Sequence, residues 1–133
     1  VDHPHMQIGE VAERTELSLR TIRHYDEVGL VVPSARSQGG FRLYTEPDVA
    51  RLMLIRRMKP LGFSLEEMRD LLAATDRLDD DTVHAVERAT LVEVVRGFEA
   101  TTRERCEALR VQLARADEFA TILRAHLDGT AGE

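Results

Sequence analysis

Apolar residues recur at helical spacing along most of the chain, and the points where that rhythm breaks divide it into several short helices followed by one very long one. Ile8, Val11 and Ala12 share one face of a predicted helix over residues 7–14. Thr15-Glu16-Leu17 is then a turn, and Ser18 is placed to cap a second helix. Its hydroxyl can accept from an otherwise free backbone N–H near Arg20 or Thr21. The second helix carries Leu19, Ile22, Tyr25 and Asp26, and Gly29 suits its end. Two helices joined by so short a turn make a helix-turn-helix.

The pattern changes between Pro33 and Tyr44, where Gly39-Gly40 suits a tight turn and Phe41 and Leu43 alternate with Arg42 and Tyr44. A small β-hairpin, or wing, is predicted. Thr45-Glu46-Pro47-Asp48 opens a third helix that runs to about Lys59 before Pro60. Ser64-Leu65-Glu66-Glu67 is a capping box opening a fourth helix through about Ala74. The acid-rich stretch 75–81 is expected to be a linker, with Asp79, Asp80 and Asp81 as solvated charges rather than a metal site. From about Thr82 to Leu127 a single helical pattern follows, with Gly97 as its one candidate break. Cys106, Leu109, Leu113, Ala116, Ala120, Leu123 and Leu127 alternate spacings of three and four, which is a coiled-coil seam. A helix of that length cannot bury its stripe against so small a domain, so a second copy of the chain is the expected partner. The fold expected is therefore mainly α. A winged helix-turn-helix occupies residues 6–75, a linker or short helical segment 76–90, and a dimerisation helix 91–128.

Charge alters this picture through its placement. The chain of 133 residues has a formal net charge of -6, unpromising for binding a polyanion. Between Ser18 and Lys59, however, eight Lys and Arg face four Asp and Glu, whereas from Ser64 onward nine face sixteen. A basic head supplies phosphate affinity while an acidic tail stays off it. The single cysteine excludes an intrachain disulfide and suits a reducing cytoplasm. Val1-Asp2-His3-Pro4-His5 has neither a basic start nor an apolar stretch, so no export signal is expected, and no apolar run is long enough for a membrane span. A phosphate-binding glycine loop, a nucleophile elbow and a ligand-spaced metal cluster are all missing, so neither an enzyme nor a cofactor or metal is expected. A coiled-coil adaptor without sequence-specific DNA binding is the rival reading.

Four segments carry a resemblance: Ile8-Gly9-Glu10-Val11-Ala12, the run from Arg20 to Val31 containing Arg23-His24-Tyr25-Asp26, Gly40-Phe41-Arg42-Leu43-Tyr44, and Leu61-Gly62-Phe63-Ser64-Leu65-Glu66-Glu67. In order and spacing they resemble the MerR family of transcription regulators. The resemblance implies a dimer held by an antiparallel pair of C-terminal helices, binding promoter DNA. It also implies a mechanism, in which the spacer between the −35 and −10 elements is bent and untwisted so that RNA polymerase can use it. Arg20, Thr21, Arg23, His24 and Tyr25 lie at the start of the helix that would enter the major groove, with Arg20 and Thr21 toward the bases and Arg23 and Tyr25 on phosphates. Arg36, Phe41, Arg42 and Tyr44 would flank the minor groove and backbone. Arg56, Arg57 and Lys59 with Gly62-Phe63-Ser64 would form a second wing. Two readings stay open for Tyr25 and Tyr44, a core ring or a hydroxyl on DNA, the second being expected of at least one. Phe41 and Phe63 are expected to pack rather than wedge between bases.

No sensor is evident. Metal-sensing relatives place cysteines at the start of the dimer helix and in a C-terminal loop, redox-sensing relatives carry a four-Cys cluster, and aldehyde-sensing relatives have a Cys where Arg57 stands. Cys106 lies on the seam and is expected to be packing. No fused ligand-binding domain is expected, and the apolar residues between Thr82 and Phe98 suffice as packing.

Overall fold

The computed structural model describes residues 5–131. The reading of Val1-Asp2-His3-Pro4 as lacking an export signal lies outside them. Strand β1 (Met6–Gln7) leads into α1 (Ile8–Thr15) and α2 (Leu19–Glu27). Strands β2 (Ala35–Arg36) and β3 (Arg42–Tyr44) follow, then α3 (Glu46–Met58), a 3₁₀ turn (Lys59–Leu61), α4 (Leu65–Leu78) and α5 (Ala85–Ala131).

The helix-turn-helix forms for the reasons its sequence suggests. Ile22 and Tyr25 are buried one turn apart on α2, and the Ser18 hydroxyl accepts from the Thr21 N–H at 3.0 Å. Glu16, in the turn before Ser18, takes a left-handed conformation. Thr15 is fully buried, and its hydroxyl satisfies itself on the Val11 carbonyl at 2.8 Å. These helices close over a core that includes Val11, Ile22, Val31, Tyr44, Leu52 and Ile55.

The wing is larger than expected. Its strands pair in the order β1-β3-β2, all antiparallel, with Met6 opposite Tyr44 and Arg36 opposite Arg42. β1 is only two residues long, too short to display a period of two in the sequence. At the wing tip Gly40 has φ +81, a conformation costly for residues with a side chain. A Cβ on neighbouring Gly39 would come within 3.0 Å of the Phe41 ring.

One expectation about the second half needs correction, and one open point is settled. α4 runs a turn beyond Ala74, because the Thr75 hydroxyl bonds the Leu71 and Leu72 carbonyls and Asp76 holds Arg51 of α3. The connection to α5 therefore shrinks to residues 79–84. Gly97 does not break α5: the helix has 47 residues, about 70 Å at 1.5 Å per residue, and a lone glycine costs it only about 1 kcal/mol. The first half of α5 packs on α4 and on Phe63, with Leu91, Val95, Phe98 and Thr102 partly covered. From 107 to 130 every residue is exposed.

Candidate nucleic-acid interface

Burying Ile22 and Tyr25 turns the opposite face of α2 to solvent. Arg20, Arg23 and His24 are exposed there, and Thr21, half-buried, accepts the Ser18 hydroxyl at 2.8 Å. The 3₁₀ turn after α3 brings Lys59 to the same place. These residues, with Tyr25 and Glu27, line one open hollow of about 730 Å³. Three cations against one carboxylate give it the sign a phosphate backbone needs. α2 and the end of α3 are far apart in sequence, so this grouping is a product of the fold.

The wing stands beside α2 and is tied to it. Asp26 Oδ2 accepts from Arg42 Nε at 2.7 Å and from an Arg36 guanidinium nitrogen at 3.2 Å. The Asp26 hydrogen bond raises the Arg42 pKa above its ordinary value. Asp26 was legible only as a helix residue, since nothing in the sequence says that a hairpin ten to sixteen residues later folds back on it. Phe41, expected to pack, is 67% exposed at the wing tip.

Both tyrosines are core rings. Tyr44 is fully buried, its hydroxyl has no hydrogen-bond partner, and burial pushes its pKa up. The Tyr44 ring lies inside the fold, where α1 packs against β3. Tyr25 is 4% exposed; it belongs to the core and also lines the hollow.

The residues expected to form a second wing have differing surroundings. Arg57 is exposed but does not line the hollow, and Arg56 is engaged with Glu16 at 3.1 Å. Phe63 is buried beneath the Arg105 guanidinium, which stands 4.3 Å from its ring centroid and donates to the Leu61 carbonyl at 3.0 Å. This outer loop is thus anchored to α5.

Along α5, Leu109, Leu113, Leu123 and Leu127 are between 48% and 62% exposed, in the segment that also carries Ala116 and Ala120. Phe119 and Ile122, 61% and 55% exposed, lie outside the expected seam and widen the apolar surface. Cys106 is half-buried, just before the segment in which every residue is exposed. Among the described residues no group of three or more His, Cys, Asp and Glu is placed to hold a metal, and no helix is long and apolar enough to cross a membrane.

Comparison with known proteins agrees with this architecture. Residues 6–75 match the family described as MerR HTH family regulatory protein, and residues 49–125 match the one described as MerR, DNA binding. The HTH-type transcriptional regulator ZntR of Escherichia coli is 48% identical over 67 residues, covering 50% of this chain and 48% of that protein. The chain thus spans about half the length of that relative. HmrR of Rhizobium leguminosarum is 40% identical over 103 residues, covering 75% of this chain and 78% of its own. Among solved structures, HiNmlR, a MerR family regulator lacking the sensor domain and bound to promoter DNA, superposes with a TM-score of 0.65 at 27% identity, covering 84% of this chain and 77% of that one. With a winged helix-turn-helix, a long terminal helix and matches that together span residues 6–125, the chain belongs to the MerR family of helix-turn-helix regulatory proteins.

Proposed function

We propose that this protein is a transcription regulator that binds promoter DNA sequence-specifically as a homodimer and acts by distorting the spacer between the −35 and −10 elements. The observation that carries the reading is the convergence of Arg20, Thr21, Arg23, His24 and Lys59, from two distant segments, on one open hollow beside an arginine-bearing wing. Arg20 is the base reader, able to bind guanine O6 and N7 bidentately, and Thr21 adds a methyl contact. Arg23, Lys59, Arg36, Arg42 and Arg57 hold phosphates and fix register.

The exposed leucines between 107 and 130 support pairing with a second copy, since a stripe of that length left in water favours association. Two groove helices on a two-fold rod suit a pseudo-palindromic operator. Many phosphate contacts can offset a bending cost of order 1–6 kcal/mol. RNA polymerase at the realigned promoter is the downstream partner. A gel shift with operator and random duplexes across a range of salt tests the binding, and in vitro transcription from promoters with the spacer lengthened or shortened by a base pair tests the mechanism. Transcription should change sharply with spacer length while the half-sites stay occupied. Indifference to spacer length contradicts distortion, and equal affinity for both duplexes favours the adaptor reading.

A further inference from the structure

Both wing arginines share one counter-charge, and it belongs to the groove helix. Asp26 sits in the last turn of α2 with its side chain 12% exposed, and a single oxygen accepts from Arg42 on β3 and Arg36 on β2. Arg36 also donates to the Gly40 carbonyl at the wing tip, at 3.3 Å. One carboxylate therefore ties both strands of the hairpin to α2. A guanidinium carries five N–H donors, so each arginine keeps donors for phosphate while one is spent on Asp26.

The charge balance matters as much as the tether. Two guanidinium groups and one carboxylate leave the wing with half the net charge of the arginines alone. Non-specific affinity follows the number of phosphates neutralised, whereas specific affinity needs those cations in register with a seated groove helix. We infer that Asp26 is a positioning residue that sets DNA selectivity, holding the wing in register with α2 and restraining its attraction for phosphate wherever α2 is not seated. The inference rests on the DNA-binding reading above.

The test is fluorescence anisotropy on a random duplex and on a duplex selected from bound genomic fragments, across a range of salt, for wild type, Asp26→Asn and Asp26→Glu. Asn keeps the shape and an acceptor oxygen but removes the charge. On random DNA, Asp26→Asn is expected to bind severalfold tighter and to steepen the slope of log affinity against log salt by up to about 0.9, one further counterion. The ratio of selected to random affinity should fall, and Asp26→Glu should restore the wild-type slope. The same Asn substitution in an Arg36→Gln, Arg42→Gln background should leave the slope unmoved, which separates this role from any general loss of fold. An unchanged slope and ratio in Asp26→Asn, or an equal shift without the arginines, overturns the inference while wild-type binding stands. A wild type that retains neither duplex overturns the DNA-binding reading itself and the inference with it.

Discussion

Arg20 and Tyr44 mark the two fates of polar side chains near the groove helix. Arg20 is exposed on the hollow, so Arg20→Ala should lower operator affinity by about 1–3 kcal/mol while leaving association of the chains intact. Competition binding checks this, and operator affinity equal to wild type removes Arg20 as a base reader. Tyr44 shows the opposite case, a buried hydroxyl without a partner. Leaving a donor unmade costs of order 1–3 kcal/mol, so Tyr44→Phe should raise stability by about 1 kcal/mol and leave DNA affinity unchanged. Denaturant melts and binding titrations decide it, because a loss of affinity would mean that the hydroxyl reaches DNA. The sequence could not separate these fates: alternation put Tyr44 on the opposite face from Leu43, but only the packing of distant elements such as α1 against β3 makes that face an interior.

Among the elements, those with strong local signals are legible in the amino-acid sequence. Ser18 and the box of Ser64 with Glu67 mark helix starts where they stand, because capping is chemistry between residues three apart. Element ends are less legible. α4 outruns Ala74 because Asp76 reaches Arg51 across the fold, a contact between residues 25 apart. Strand β1 owes its existence to β3, more than thirty positions away in the chain. The Ser64 box also gives a pH signature. The backbone N–H of Ser64, then its hydroxyl and the nearby Arg105 charge, hold the Glu67 carboxyl below its ordinary range. A depressed folded pKa contributes stability that is present above the unfolded value, about 4.3, and is lost as pH falls through the folded value. Glu67→Gln should therefore lower the melting temperature at neutral pH, with the gap to wild type closing on acidification below about 4.3. A gap that stays constant through that range contradicts the charged cap.

Over the whole molecule, the basic head and the long, nearly charge-balanced helix divide the work. The hollow and the wing carry cations, while residues 107–130 leave four leucines exposed. Arg105, stacked on Phe63 and bonded to Leu61, joins the rod to the loop beside Lys59, so the direction of the rod and the position of the outer contact are set together. Replacing Leu113 and Leu123 with Asp puts charge into the proposed seam and should yield monomers that bind DNA poorly, as sedimentation and gel shift would show. A wild-type monomer at micromolar concentration contradicts the homodimer. Cys106→Ser should leave DNA binding nearly unchanged, given the half-buried place of that thiol.

The central claim is that this chain reads a particular sequence within promoters as a two-fold object. The measurement that tests it most directly is sequencing of the genomic fragments retained by the intact protein at physiological salt. The account predicts a shared pseudo-palindrome lying between −35 and −10 elements, with half-sites spaced by about a helical turn or a multiple of it. Fragments with no common sequence, retained only in proportion to their length, would contradict it.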